Sequence, residues 1–437
     1  MTQNKIIRCD SPLTEDSARA IHQRLLRTHQ QQDSTETIVK AIIESVGKNG
    51  DAALLDYSRR FDRLKATRIE ELRVSREEIT AAVKSISTPL RKALDLAADR
   101  IEDFHRRQLP QDLDYKDSLG NNLGSRWTAV DAAGLYVPGG TASYPSSVLM
   151  NAIPAKVAGV ARITMVVPSP DNRLSPLVLA AADRAGIREI WRIGGAQAIA
   201  ALAYGTESIR PVDVITGPGN EFVAAAKRLV YGQVGIDSIA GPSEILVISE
   251  AGNHPEWLAA DLLSQAEHDP EAQAILITTD LPLAEAVDRA VTAQLVKLQR
   301  SEIATASWQN HGAIIVVPSL DDAATLANLI APEHLQLSLG AESAEAILPK
   351  IRHAGAIFIG NHSPEAIGDY IAGPNHVLPT NGTARFSSGL GVLNFMKRSS
   401  IIACTAAGFG ELAEAAALLA DAEGLAGHAK SLRIRGN

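Results

Sequence analysis

The sequence predicts an α/β protein: two open Rossmann-like parallel-sheet domains, a helical amino-terminal segment and a small carboxy-terminal tail domain. Three observations lead there. Short runs rich in Val, Ile and Ala at 132–137, 163–167, 189–193 and 212–216 alternate with helix-like stretches, and each ends in a turn containing Gly or Pro. A second set at 244–248, 274–278, 313–317 and 356–359 repeats the rhythm, with helical stretches near 255–268, 281–299, 320–330 and 342–350 between its members. Such alternation places neighbouring strands parallel, because each helical crossover returns the chain to the same end of the sheet. The chain's 437 residues also exceed what one ordinary core can serve.

Ahead of the first strand set, the stretch from about 15 to 107 reads as helices with one weak strand. Ala18, Ile21, Leu25 and Leu26 fall at helical spacing, and Ser75-Arg-Glu-Glu78 has capping-box form ahead of Ile79. This region packs rather than reacts. Behind the second set, 406–422 is Ala-rich and helical, followed by Glu423, His428 and the basic stretch Lys430-Ser-Leu-Arg-Ile-Arg435. A tail of this kind can fold back or reach a neighbouring subunit.

Composition narrows the function. Hydrophobic residues make up 46% and charged residues 21%, and no apolar run approaches the ~20 residues a bilayer span requires. The first residues lack the apolar core of a secretory signal, so the expected compartment is cytoplasmic. Cys9 and Cys404 alone argue against a disulfide framework and against thiolate metal sites, so a metal here must use nitrogen and oxygen ligands. A net charge of −8 without a Lys/Arg-rich block, and aromatics at 4%, disfavour nucleic acid as partner.

The chemistry-bearing residues fall in loops and helix ends. Gln265 and His268 stand three apart in a helical stretch, leave its same face and can converge on one ion. Taken alone, such a pair is more often a solvated polar stripe. Asp369 and His428 would complete four N/O ligands, a set suited to Zn²⁺, with Mn²⁺ or Co²⁺ as substitutes. Glu333-His334 follows Pro332, which ends the preceding helix, and an adjacent acid and base are useful if one activates water while the other takes a substrate proton. His376, in Gly-Pro-Asn-His-Val-Leu-Pro, is loop-borne and is either a turn-stabilising or a substrate-contacting histidine. The turns Tyr136-Val-Pro-Gly-Gly140, Gly194-Gly-Ala-Gln197 and Gly217-Pro-Gly-Asn220 each follow a strand and open a helix, where backbone N–H groups can meet a pyrophosphate. No Gly-x-Gly-x-x-Gly occurs, so these turns alone do not establish a dinucleotide site. Ser243, in a loop before a strand, is a hydrogen-bond donor rather than a nucleophile, since no His is spaced to activate it.

Taken in order, Gly134-Leu-Tyr-Val-Pro-Gly-Gly140, Gly194-Gly-Ala-Gln-Ala198, Gly217-Pro-Gly-Asn220, Ala240-Gly-Pro-Ser-Glu244, Leu263-Ser-Gln-Ala-Glu-His-Asp269, Ala331-Pro-Glu-His334, Gly368-Asp369, Asn375-His-Val-Leu-Pro-Thr380 and Glu423 with His428 resemble the histidinol dehydrogenases over about 120 to 435. The resemblance implies zinc- and NAD-dependent oxidation of L-histidinol through L-histidinal to L-histidine. It implies zinc ligands at Gln265, His268, Asp369 and His428, and an acid/base pair at Glu333 and His334. Tyr136, Gln197 and Asn220 are the implied cofactor contacts, while Ser243, His376 and Glu423 join His334 and the metal ligands as substrate contacts. It also implies an intertwined homodimer in which the tail supplies His428 and Glu423 to the partner's site. The expected domains are an arm at 1–30, a metal and substrate domain at 31–134 and 245–390, an NAD-binding domain at 135–244 and a dimer-exchange tail at 391–437. A zinc- and NAD-dependent dehydrogenase of another small polar alcohol, such as a sulfonated diol, would keep the metal and cofactor motifs and change the substrate contacts.

Overall fold

The structure is a computed structural model that describes residues 5–9, 11–26, 32–139 and 144–435. Gly140, the end of the first glycine turn, and part of the expected 1–30 arm lie outside the described residues. In chain order the strands are β1 (Ile6–Arg8), β2 (Leu113–Lys116), β3 (Asn122–Ala129), β4 (Ala132–Tyr136), β5 (Arg162–Val166), β6 (Glu189–Trp191), β7 (Val214–Thr216), β8 (Gly235–Ile236), β9 (Glu244–Ser249), β10 (Gln273–Thr278), β11 (Ala313–Val316), β12 (His334–Ser338), β13 (Ala356–Ile359) and β14 (Met396–Ala403).

Both predicted sheets form, and both are parallel throughout. One runs β6-β5-β4-β7-β8; the other runs β1-β11-β10-β9-β12-β13. Leaving aside the added edge strand β1, each set has the same order, third-second-first-fourth-fifth, which is that of a doubly wound sheet. Alternation along each strand explains the layers. In β9, Ile245 and Val247 face a core with Leu258, Val287 and Trp308, while Leu246 and Ile248 face one with Ala18, Leu326 and Ile347. Strands buried on both faces read as continuous apolar runs, which is why these segments are legible without an alternating pattern.

Three expectations need correction. The helices between 32 and 106 pack on the five-stranded sheet, not on the one bearing β9–β13. Val39 and Leu54 meet Ile199 and Ile215, and Leu94 and Ile101 meet Leu149 and Met165. β4, which begins at Ala132, also lies in the five-stranded sheet, whereas β2 and β3 of the same 31–134 stretch do not. The weak strand expected before 107 reduces to a single bridge residue, Arg73, paired with Trp191. Finally, β2, β3 and β14 form an antiparallel sheet that the sequence pattern did not announce.

Past β14, helices Ala406–Ala422 and Ala426–Arg433 pack on each other through Ala417, Ala420 and Ala429. Leu418 and Leu419 of this pair are 59% and 68% exposed, so the tail presents an apolar face that its own chain does not cover. No described helix is long and apolar enough to cross a membrane, and Cys9 and Cys404 form no disulfide.

Candidate active site

Helix Leu320–Ile330 ends at Ala331 with φ 52°, a left-handed conformation that costs an L-residue roughly 1–2 kcal/mol. Strain of this size persists only where the surroundings enforce it, and here the turn delivers Pro332, Glu333 and then His334, the first residue of β12. Glu333 and His334 are both buried. Each is tied to Glu244 at the start of β9: the Glu244 N–H donates to Glu333 Oε2 at 2.9 Å, and His334 Nδ1 stands 2.9 Å from the Glu244 carbonyl. A carbonyl can only accept, so Nδ1 carries the ring proton and Nε2 keeps its lone pair. Nε2 is buried and has no hydrogen-bond partner. It is presented as a base.

Around Nε2 gather Glu365 Oε1 at 3.7 Å and Asp369 Oδ1 at 4.0 Å, both from helix Glu365–Tyr370. His376 approaches from the other side, with Nδ1 2.9 Å from the Asp369 carbonyl and 3.8 Å from its carboxylate. Gln265 and His268 enter from the end of helix Pro255–Ala266; Gln265 Nε2 is 3.5 Å from His268 Nδ1, and His268 lies within electrostatic reach of Asp369 and His334. Three of the four expected ligands, Gln265, His268 and Asp369, therefore border one space. Buried Gln265 Oε1 and Glu365 Oε1 likewise lack partners. Beside the cluster a cavity of about 440 Å³ opens between Phe104 and Gln108 on one side and Phe358, Ile367, Asp369 and His376 on the other.

His428 and Glu423 do not join. Both are exposed on the carboxy-terminal helix pair, and among the described residues the cluster of ligand atoms within 4.8 Å of one another contains only His334, Glu365 and Asp369. Ser243 stands immediately before β9, one residue from the carbonyl that holds His334.

Burial sets the electrostatics. It pushes the Glu333 carboxyl well above its ordinary range, reinforced by Glu244, Asp369 and Glu365. It lowers His334, against the opposing pull of Asp369. Burial also pushes Asp369 up to about 6, with Glu365 adding to the rise. A carboxylate made more basic and an imidazole kept neutral are suited to accept protons near neutral pH.

Two residues absent from the sequence reading support this arrangement. Glu365 takes a hydrogen bond from Ser264 Oγ at 3.2 Å, beside Gln265. Its signal was available: Pro364 opens the helix, and Glu365 and Asp369 are four apart on one face. Gln336, two residues along β12 from His334, accepts the Glu365 N–H at 3.2 Å and donates to Asp261 at 2.6 Å, fixing the start of the helix that carries both carboxylates. That role depends on a cross-strand neighbour and leaves no pattern in the sequence.

The expected cofactor residues collect elsewhere, Tyr136 and Asn220 at the carboxyl ends of β4 and β7, where the order of the five-stranded sheet reverses, and Gln197 on the helix that follows β6. Ligands of doubly wound sheets bind in this crevice. Buried Tyr136 ends β4; burial pushes its phenol up to about 12, and its oxygen accepts the Gly195 N–H at 3.1 Å, leaving the O–H to donate. Gln197 is buried with its Oε1 unpartnered. Asn220 caps helix Glu221–Val230 by accepting the Val223 N–H at 3.1 Å, so its amide nitrogen remains available.

Asp62 lies within electrostatic reach of Tyr136, with a buried, unpartnered Oδ2. Burial raises its carboxyl to about 6 against the opposing charge of Arg63. Between its ordinary value and about 6 the folded protein keeps a proton that the unfolded chain has released, so this group subtracts stability as pH rises through that window. Asp62→Asn is therefore expected to gain on the wild type with rising pH, the gap approaching ~3 kcal/mol above pH 6. Denaturant unfolding of both proteins across the window checks this; a pH-independent gap would contradict it.

Proton-transfer groups on one doubly wound sheet and glycine-lined turns at the switch point of another make a two-sheet α/β oxidoreductase. Residues 25–436 match the family model described as histidinol dehydrogenase. The chain is 59% identical over 401 residues to the histidinol dehydrogenase of Rhodospirillum rubrum, covering 92% of each, and 58% identical to that of Rhizobium meliloti, covering 93% of each. A crystal structure of histidinol dehydrogenase from Elizabethkingia anophelis superposes with a TM-score of 0.92 at 37% identity, over 99% of this chain and 97% of that one. This chain belongs to the histidinol dehydrogenase family.

Proposed function

We propose that this chain oxidises L-histidinol to L-histidine in the cytoplasm, through L-histidinal and two hydride transfers to NAD⁺. The observation that carries the reading is the His334–Glu333 pair: a base nitrogen with its tautomer fixed by the Glu244 carbonyl, next to a buried carboxyl, with His334 in electrostatic reach of His268 and Asp369 and Glu333 in reach of Asp369.

The residues present fit a zinc ion. Gln265 Oε1 is a buried acceptor without a donor, His268 and Asp369 are neighbours, and the set contains nitrogen and oxygen without sulfur. Gln265, His268 and Asp369 would hold the metal with His428 of a second subunit, and zinc when bound supplies Lewis-acid stabilisation and an anchor for the substrate's imidazole and amine. The exposed apolar face of the tail supports its docking on another copy. The dinucleotide fits Tyr136, Gln197 and Asn220, whose phenol O–H, carbonyl oxygen and amide are among the polar groups left over near the switch point.

His334 Nε2 takes the hydroxyl proton as hydride leaves the carbinol carbon. Glu333 takes a proton from the water that adds to the aldehyde, and His334, after passing the first proton to solvent, takes the proton of the resulting hydrate as the second hydride departs to a second NAD⁺. Orientation of substrate by Ser243 and His376, with Glu423 of a second subunit, adds to the rate, since fixed geometry of this kind contributes up to ~7–11 kcal/mol in favourable cases. A thiohemiacetal route finds no nucleophile, because Cys404 is exposed on the segment after β14 and Cys9 lies next to β1.

Mixing tests the exchange of tails. Glu333→Gln with His428→Ala, each inactive for the full conversion alone, should regain about a quarter of wild-type activity after subunit exchange, since half the dimers then carry one intact site of two. No recovery would place His428 in its own chain's site.

A further inference from the structure

Helix Glu221–Val230 sends Lys227 inward, and it is among the largest fully buried side chains in the described structure. Its ammonium donates to the Gly217 carbonyl at 3.0 Å and pairs with Asp237. Asp237 turns its other oxygen to the Gly217 N–H at 2.8 Å and also accepts the Ser238 N–H at 2.7 Å. Both polar main-chain groups of one glycine are thus held by the two ends of one ion pair. Gly217 has φ 113°, and a Cβ there would collide with the Tyr136 carbonyl, so the residue is pinned between the end of β4 and the pair.

Stability does not account for such a pair. Removing two charges from water costs several kcal/mol per ion, and apolar side chains of the same volume are often as stable or more so. What apolar side chains cannot do is fix the rotation of a peptide unit. The two peptide units held here flank Gly217, which opens Gly217-Pro-Gly-Asn220, the turn that ends with a proposed cofactor contact.

We infer that Lys227 and Asp237 are positioning residues for the dinucleotide: they set the Gly217–Asn220 turn, and with it the Asn220 amide, in the orientation that receives NAD. The inference rests on the reading of Tyr136, Gln197 and Asn220 as cofactor contacts. The pair touches neither zinc-site nor substrate residues, so its influence falls on one ligand only.

The test uses purified wild type, Lys227→Met, Asp237→Asn and the double variant Lys227→Met/Asp237→Leu. NADH binding is followed by fluorescence titration without substrate, alongside zinc content, thermal unfolding, and kcat and KM for each substrate. Should a single variant fail to fold through its lone buried charge, the double variant, which has none, carries the measurement. The expected result is NADH binding and KM for NAD weakened about ten-fold or more in the double variant, with zinc content and KM for histidinol near wild type and a melting temperature that falls while the fold is retained, since the Gly217 N–H and carbonyl lose their partners. Wild-type NADH affinity in a folded double variant would overturn the inference and leave the cofactor site standing. Failure of the wild type itself to bind NADH would overturn the cofactor reading and the inference together.

Discussion

Asparagine in place of His334 is expected to remove both oxidations, lowering kcat with histidinol and with histidinal by about 10²–10⁴-fold, the usual contribution of a positioned general base. The geometry makes this loss specific. The imidazole is held through Nδ1 by the Glu244 carbonyl, and an asparagine amide can still donate to that carbonyl, so the start of β12 need not move. What disappears is Nε2, the buried nitrogen with a lone pair and no partner. Zinc content should stay at the wild-type level, because His334 is outside the proposed ligand set. Retention of either half-reaction at near wild-type rate would remove His334 from the role of common base.

Glu333→Gln is expected to divide the reaction. Histidinal oxidation should fall by about 10²–10⁴-fold, while histidinol oxidation falls far less, because only the aldehyde step needs water activated. Burial holds the Glu333 carboxyl well above its ordinary range, which makes it a stronger base than an exposed glutamate. Its Oε2 accepts the Glu244 N–H, and a glutamine oxygen can keep that bond, so the loss reports on basicity rather than on backbone placement. Separate rates for the alcohol and the aldehyde decide the matter. Equal losses in the two would contradict the assignment.

Much of this was legible in the sequence. The β9, β10 and β13 segments stand within one residue of their expected bounds, and helix Leu320–Ile330 has the bounds expected, because strands and helices buried on two sides carry dense apolar runs between clear stops. The segments 122–129 and 396–403 were missed because Asn-Leu-Gly-Ser-Arg-Trp-Thr-Ala and Met-Lys-Arg-Ser-Ser-Ile-Ile-Ala have neither alternation nor an apolar run, and they become strands by pairing with each other across the chain. The 31–134 helices went to the wrong sheet because an amphipathic face announces that it must be covered, not by which core. At the site, the structure brings Gln265, His268, Glu333, His334, Asp369 and His376 of the quoted motifs close together and leaves Glu423 and His428 apart, whereas Glu365, Gln336 and Lys227 act through partners distant in sequence. Their roles are visible only once β12, helix Glu365–Tyr370 and the Gly217 turn are side by side.

The central claim is that one site carries an alcohol to an acid in two successive hydride transfers. Counting NADH formed per histidinol consumed by the purified protein tests it most directly. Two NADH per histidinol, with histidine as product, is the result predicted. One NADH per histidinol, with the aldehyde accumulating, would contradict it.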